Sequence, residues 1–182
     1  MEPDKRNPAG EGDDLSILLV DDADLLLKLA ARILRVLNLP VFTAANGREA
    51  WEFMHRKPAD ILITDIMMPE MNGFDLIRGL RQEPRFQQTY IVVMTALDRV
   101  EDKVKALELG ANDYVVKPLE ASEFRARVRT GVREMRLKRD LNRAMGLLDY
   151  ELKLVAQLQR RLLPKSLPEG ENFESAVLYL PA

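Results

Sequence analysis

The sequence predicts an α/β fold, in which a doubly wound parallel sheet of five strands carries helices on both faces. Short apolar runs alternate with longer amphipathic stretches along most of the chain. The runs are apolar at nearly every position, which is typical of parallel strands buried on both faces. The chain has 182 residues and is 47% hydrophobic, enough for one such domain with an appendage.

Five strands are predicted, and each is followed by a helix. The strands cover residues 16–20, 41–45, 60–64, 90–94 and 113–116. Helical spacing of apolar residues predicts helices over 23–37, from 47 onward, up to about 82, over 99–109 and over 120–163. Pro40 ends the first helix and Gly110 the fourth, as these residue types do.

The composition excludes several kinds of active site. The chain has no cysteine and a single histidine, His55, so cysteine nucleophiles, Cys-ligated metals and Ser-His-Asp triads lack their residues. The remaining metal ligands are oxygens, which suit Mg²⁺, Ca²⁺ or Mn²⁺. The net charge of −2 gives no reason to expect direct binding to nucleic acid.

Residues 1–14 are polar and contain two prolines and two glycines, so we expect a disordered leader there. This segment lacks the apolar region of a signal peptide. The longest apolar run in the chain is far shorter than a membrane span. We therefore expect a cytoplasmic protein with no membrane partner.

Polar side chains stand where the predicted strands end. Asp21 and Asp22 follow the first strand, Asp65 the third, Thr95 the fourth and Lys117 the fifth. In a doubly wound sheet, ligands bind beyond these carboxyl ends. Three carboxylates at one edge repel one another unless a cation lies among them, and Mg²⁺ with a phosphate ligand fits such a set. In isolation, Asp22 could instead be a helix N-cap and Asp21 a solvated loop acid.

A carboxylate in such a set can act as a nucleophile toward phosphorus. The metal and Lys117 would neutralise charge on the transferred group, and the Thr95 hydroxyl would donate a hydrogen bond to it. Phosphatases of the haloacid-dehalogenase type use similar chemistry, but they need a second aspartate two residues after the nucleophile. Met67 occupies that position, which excludes this alternative.

Residues 16–135 resemble the receiver domain of two-component response regulators. The resemblance rests on the acidic pair, on the stretch from Asp65 to Gly73, on Met94-Thr95-Ala96 and on Lys117-Pro118, with Thr95 30 residues after Asp65 and Lys117 22 residues after Thr95. It implies a receiver domain over residues 15–135 with a flavodoxin-like sheet of strand order 2-1-3-4-5.

The resemblance also implies roles for individual residues. Asp65 would accept a phosphoryl group from a histidine kinase, and the chain would catalyse only its own phosphorylation and dephosphorylation. Thr95 and Tyr114 would form a switch pair, although a tyrosine in a strand is also common as half-buried packing. The Lys117–Pro118 peptide would be cis. The implied Mg²⁺ ligands are Asp21, Asp22, Asp65 and the backbone carbonyl of Met67.

The predicted C-terminal helix has two parts. Phe124, Val128, Val132 and Met135 form one stripe suited to packing on the sheet. After a charged stretch at 136–140, a heptad pattern predicts a coiled-coil signalling helix over 136–163 that forms a parallel homodimer. Packing on a neighbouring domain is the alternative, and the basic residues over 125–143 are interpreted as a solvated face. The residues of the heptad seam are Leu141, Met145, Leu148, Leu152, Val155 and Leu162.

Residues 157–168 and 176–182 resemble the linker and first strand of metal-dependent Ser/Thr phosphatases that act in bacterial anti-sigma pathways. The resemblance implies that residues 164–182 hold the linker and the truncated start of a phosphatase output domain. An anti-sigma-pathway protein would then be a partner. The alternative is a phospho-regulated adaptor that binds a partner protein and whose output domain is not catalytic.

Overall fold

A computed structural model describes residues 15–96 and 100–162. It contains one parallel five-stranded sheet of order β2-β1-β3-β4-β5, so the predicted fold is confirmed. The predicted leader and the predicted start of an output domain lie outside the described residues. The strands are β1 (Ile17–Val20), β2 (Val41–Ala44), β3 (Ile61–Asp65), β4 (Tyr90–Ala96) and β5 (Asp113–Lys117).

The five predicted helices are present, with small differences at their ends. The first is shorter than predicted because its last turn tightens into a 3₁₀ turn at Arg35–Leu37. Asn38 then adopts a left-handed conformation with φ of 53°, which asparagine tolerates better than most residues. A second 3₁₀ turn covers Pro84–Phe86. The helices are α1 (Asp24–Leu34), α2 (Gly47–Arg56), α3 (Gly73–Gln82), α4 (Val100–Glu108) and α5 (Ala121–Leu162).

The sheet separates two apolar layers, because successive strand residues point to opposite faces. Ile17 and Leu19 of β1 pack in a cluster with residues of α1 and α5. Leu18 and Val20 pack in a second cluster with residues of α2, α3 and α4. Every residue of β1 and β3 is buried, as predicted for strands covered on both sides.

The first part of α5 packs on the sheet as its apolar stripe predicts. Phe124 and Val128 are fully buried, and Val132 and Met135 are 7% and 6% exposed. Gly131 lies on the same side of the helix, and a Cβ built there would be 2.6 Å from the ring of Tyr90. The absence of a side chain at Gly131 therefore lets the Tyr90 ring pack against the helix backbone.

One arginine joins two connections, the one from α3 to β4 and the one from α4 to β5, at the amino ends of these strands. The guanidinium of Arg81 donates to the carbonyl oxygens of Phe86, Thr89 and Gly110, each at 2.8 Å, and to Oδ1 of Asn112 at 3.1 Å. Burial lowers the pKa of the Arg81 guanidinium below its ordinary value. This clamp was not predicted, since nothing in the sequence distinguishes Arg81 from a surface arginine.

The chain divides into two units, at residues 1–136 and 137–182. In the second unit, large apolar side chains of α5 from Leu137 to Leu158 are exposed to solvent. No helix in the described part of the chain is both long enough and apolar enough to cross a membrane.

Candidate functional site

The carboxyl ends of the strands bring the predicted acidic residues together. Asp21 and Asp22 follow β1, and Asp65 is the last residue of β3, which lies beside β1 in the sheet. One carboxylate oxygen of each residue lies within 4.8 Å of the other two. The prediction that these three side chains are close together is therefore confirmed.

Asp21 is a buried acid held in place by the chain around it. Its side chain is 1% exposed, so it is not a solvated loop acid. Oδ1 accepts a hydrogen bond from the backbone N–H of Ala23 at 2.9 Å, and Oδ2 accepts one from Nζ of Lys117 at 2.7 Å. Burial without these partners would be costly for a carboxylate.

Asp22 remains exposed at the mouth of the site. The N-cap residue of α1 is Ala23, and no side chain caps this helix. The alternative interpretation of Asp22 as an N-cap is therefore wrong. Its carboxylate instead contributes to the three-acid cluster.

Asp65 is the third acid of the cluster and is 8% exposed. Its Oδ1 accepts a hydrogen bond from the N–H of Ile66 at 2.8 Å, and its Oδ2 lies 3.0 Å from Nζ of Lys117. Burial raises the pKa of Asp65 above its ordinary value of 3.8, and Asp21 adds to this effect, whereas Lys117 opposes it. A bound cation would favour the ionised form of Asp65 at this buried position.

Lys117, at the end of β5, holds two of the three acids. Burial alone would lower its pKa, but the hydrogen bonds to Asp21 and Asp65 outweigh burial and raise the pKa above the ordinary value of 10.5. The side chain is therefore a stable ammonium. The peptide bond from Lys117 to Pro118 is cis, as the resemblance implies.

Two glycines fix the loop that follows β3. A Cβ at Gly73 would lie 2.1 Å from the carbonyl oxygen of Asp65, and one at Gly47 would lie 2.3 Å from the carbonyl oxygen of Met71. The N–H of Gly73 donates to the carbonyl oxygen of Ile66 at 2.9 Å, and the N–H of Gly47 donates to that of Met71 at 3.2 Å. Both glycines are thus required for the close approach of the loop, a function that sequence reasoning missed.

Met67 lies in that loop, and its side chain is 67% exposed. An exposed side chain is compatible with a residue that contributes only its backbone carbonyl. Its assignment as a Mg²⁺ ligand stays a prediction.

Thr95 and Tyr114 lie on the same face of the sheet. In the register of β4 and β5, Tyr114 is opposite Val93, which is two residues before Thr95, and strand residues two apart share a face. Thr95 is 2% exposed. The Tyr114 ring is partly buried, with Nζ of Lys103 at 5.2 Å from its centroid. The positions suit the predicted switch pair, and the packing of Tyr114 in the α2–α3–α4 layer suits the alternative as well.

The cluster fits a divalent cation. Three carboxylates and the single ammonium of Lys117 sum to a formal charge of −2. Opposite ligands of an octahedral Mg²⁺, each at ~2.1 Å, are about 4.2 Å apart, which is close to the 4.8 Å limit found for these oxygens. Asp21, Asp22 and Asp65 could therefore hold Mg²⁺ after small side-chain movements.

Comparisons with known proteins agree with this arrangement. The sequence model of the response regulator receiver domain matches residues 17–129. The probable transcriptional regulator ycf27 of Guillardia theta is 38% identical over 117 residues, which cover 64% of this chain and 45% of that protein. Response regulator GtcR of Aneurinibacillus migulanus is 33% identical over 118 residues, covering 65% and 48%. The chain thus spans about half the length of the curated relatives it matches.

Solved structures show the same likeness. A putative response regulator from Chloroflexus aurantiacus superposes with a TM-score of 0.63 and 33% identity, covering 65% of this chain and 98% of that one. The chemotaxis protein CheY4 of Vibrio cholerae superposes with a TM-score of 0.60 and 27% identity, covering 64% and 98%.

Proposed function

Because the chain belongs to the family of response regulator receiver domains, we propose that it is a signalling module that accepts a phosphoryl group on Asp65 from a histidine kinase. Receiver domains interact with histidine kinases and generally bind Mg²⁺ at an acidic pocket. The observation that carries the proposal is the cluster of Asp21, Asp22 and Asp65 with Lys117 hydrogen-bonded to two of them.

In this proposal, Asp65 is the nucleophile. Its Oδ2 forms a bond to phosphorus while the bond from phosphorus to the donor breaks, and the departing donor keeps the electron pair. Oδ1 stays fixed by the N–H of Ile66, which orients the carboxylate for attack. The product is an acyl phosphate.

Mg²⁺, held by Asp21, Asp22, Asp65 and the carbonyl of Met67, would supply neutralisation of charge on the transferred group. Lys117 already donates to Oδ2 of Asp65, so its ammonium is placed to turn to a phosphoryl oxygen once Oδ2 is phosphorylated. Its second bond, to Asp21, keeps the lysine at the site during that change.

Thr95 would report the phosphoryl group to the rest of the domain. Its hydroxyl, at the end of β4, would turn toward a phosphoryl oxygen, and Tyr114 would move inward on the same face of the sheet. The partly buried position of the Tyr114 ring supports this proposal, because a ring at the boundary of the core can occupy either environment.

The response would be passed on by the signalling helix over 136–163. Its exposed heptad seam supports self-association into a parallel homodimer, because long apolar stripes on a helix are association sites. The side chain of Leu162 lies outside the described residues. We propose that the receiver domain covers residues 15–135 and that the signalling helix begins at residue 136.

The output is proposed to be a metal-dependent Ser/Thr phosphatase domain of the anti-sigma-pathway type, beginning at residues 164–182. The resemblance of residues 157–168 and 176–182 to the start of such domains supports it. A non-catalytic adaptor domain is the second candidate. A cytoplasmic location stays an expectation.

The phosphorylation proposal is tested by intact-mass measurement after incubation with acetyl phosphate and Mg²⁺. The wild type is expected to gain one phosphoryl group, and Asp65→Asn none, because the amide is not a nucleophile. Asp24→Asn is the matched control, since Asp24 is an exposed acid close to the site in sequence, and it should be modified like the wild type. Equal labelling of Asp65→Asn would rule out this assignment.

A further inference from the structure

The one histidine of the chain, His55, lies away from the acidic cluster. It occupies the last turn of α2, and Glu83 directly follows α3. Both helices return the chain from the carboxyl edge of the parallel sheet to its amino edge. The side chains of His55 and Glu83 therefore meet at the amino edge, where each is 32% exposed.

Both ring nitrogens of His55 lie within hydrogen-bond distance of an oxygen. Nδ1 is 2.8 Å from the carbonyl oxygen of Trp51, and Nε2 is 2.9 Å from Oε1 of Glu83. A carbonyl oxygen can only accept a hydrogen bond. A neutral imidazole has a single N–H, so it can donate to one acceptor and directs a lone pair at the other.

Glu83 is also an acceptor. Partial burial alone would raise its pKa, but hydrogen bonds from His55 and Arg85 outweigh burial and lower the pKa below its ordinary value. Nε of Arg85 donates to Oε2 at 2.9 Å, so each carboxylate oxygen has its own donor. Because an ionised carboxylate has no proton to donate, the two hydrogen bonds of His55 require a proton on each ring nitrogen.

The surroundings of the ring suit a positive charge. The centroid of the Trp51 ring lies 4.5 Å from that of His55, at an interplanar angle of 40°, and the face of an indole attracts a cation. The Phe86 ring covers another side at 5.3 Å. The last turn of a helix also favours a cation, because the carbonyl end of the helix dipole is negative.

Glu83 is the charged group that contacts the ring. Arg85 binds the other oxygen of Glu83. The guanidinium of Arg56 donates to a backbone carbonyl oxygen of its own helix, and Nζ of Lys57 lies over the Phe42 ring. We therefore expect the charge of the ring to depend on Glu83 more than on its other neighbours. The charged residues of the facing segments are Glu52, Arg56 and Lys57 at the end of α2, Asp75, Arg78 and Arg81 on α3, and Glu83 and Arg85 in the connection to β4.

We propose that His55 is a pH-sensitive latch, whose charged ring joins the end of α2 to the connection between α3 and β4 and whose loss of one proton opens this join. At the other end of α2, Gly47 contacts the loop that follows β3. That contact is about 12 Å from His55 along the helix axis. The latch is thus separate from the acidic cluster, and the inference does not depend on phosphorylation of Asp65.

The hydrogen bonds set the direction of the pH dependence. A histidine in an unfolded chain loses its proton near about pH 6.5. The folded protein holds the same proton between two acceptors. The stability that the latch contributes is therefore fully present below that pH, and it is lost as the pH rises and the folded protein releases the proton.

Nitrogen NMR of protein labelled at histidine tests the latch, because one histidine gives one set of ring signals. At about pH 7, just above the value for an unfolded chain, the folded wild type should carry protons on both ring nitrogens, whereas the urea-unfolded chain should be mostly neutral. In Glu83→Gln the folded ring should be mostly neutral too, because an amide can donate to the unprotonated nitrogen. Glu52→Gln is the matched control: it removes an exposed acid from the same helix, and the ring should stay charged.

Urea unfolding supplies a second measurement. From about pH 6 to about pH 8, the range in which histidine titrates, the urea midpoint of the wild type should fall relative to that of Glu83→Gln. A folded wild-type ring as neutral as the unfolded one would overturn the latch, and so would an equal loss of ring charge in Glu83→Gln and Glu52→Gln. A difference between the two urea midpoints that does not change with pH would also overturn it.

Discussion

Replacement of Gly131 by alanine tests how the first part of α5 packs on the sheet. The new Cβ would lie 2.6 Å from one carbon of the Tyr90 ring and 2.7 Å from another. Contacts between carbon atoms are most favourable at about 3.5–4.0 Å, so the ring or the helix must move by close to 1 Å. Tyr90 is 3% exposed, and the ring has little room to yield.

Two opposing effects set the magnitude. Forcing a methyl group into a packed core costs about 1–3 kcal/mol. Alanine in a helix is more favourable than glycine by about 1 kcal/mol. The net expectation for Gly131→Ala is a loss of about 0–2 kcal/mol in the free energy of unfolding.

Urea unfolding followed by fluorescence of Trp51, the one tryptophan, measures this loss in the domain that contains β4. Gly146→Ala is the matched control in the same helix, because a Cβ there meets nothing within 4 Å. It should raise helicity at 222 nm without lowering the urea midpoint. A gain of about 1 kcal/mol for Gly131→Ala, the value of helix propensity alone, would refute the packing argument.

Three further predictions concern the clamp, the start of α5 and the metal. Arg81→Met should lower the free energy of unfolding by about 3 kcal/mol or more, because several carbonyl groups lose their donor at about 1–3 kcal/mol each. Arg78→Met removes only an exposed ion pair and should lower it by at most about 1 kcal/mol. Equal losses in the two variants would contradict the proposed role of Arg81. Hydrogen bonds from Ser122 and from the N–H of Glu123 hold the pKa of Glu120 at about 2, below its ordinary value of 4.5. The stability that ionised Glu120 contributes is therefore present above pH 4.5 and is lost as the pH falls toward 2. The difference in Tm between the wild type and Glu120→Gln should shrink over that pH range. A difference in Tm that stays constant would contradict a contribution from ionised Glu120. Mg²⁺ at one hundred times its Kd should stabilise the wild type by about 2.7 kcal/mol, Asp22→Ala should lose this effect, and Asp24→Ala should keep it; an unchanged Mg²⁺ effect in Asp22→Ala would place the metal elsewhere.

The positions of the site residues could be predicted because the fold dictates them. Parallel strands end at one edge, so residues that directly follow apolar runs must meet there. This reasoning placed Asp21, Asp22 and Asp65 together without any knowledge of side-chain contacts. The packing of Phe124 and Val128 was predictable for a similar reason, since their spacing follows the period of a helix.

Features that depend on close contacts between distant residues were not predictable. The requirement for glycine at positions 47 and 73 arises from backbone oxygens that approach from another segment of the chain. Asp22 could be assigned to the three-acid cluster instead of the N-cap of α1 only once the first residue of α1 was known. Sequence reasoning assigned Lys117 to a phosphoryl oxygen, but its contacts with Asp21 and Asp65 required the register of β5 against its neighbours.

Direct identification of the modified residue tests the central claim that Asp65 is the phosphoryl acceptor. After incubation with acetyl phosphate and Mg²⁺, borohydride reduces an aspartyl phosphate to homoserine, which marks its position permanently. Peptide mass spectrometry should then find homoserine at position 65 and aspartate at positions 21, 22 and 24. Homoserine at any of those three positions, or its absence from position 65 in a protein that has gained a phosphoryl group, would contradict the proposed mechanism.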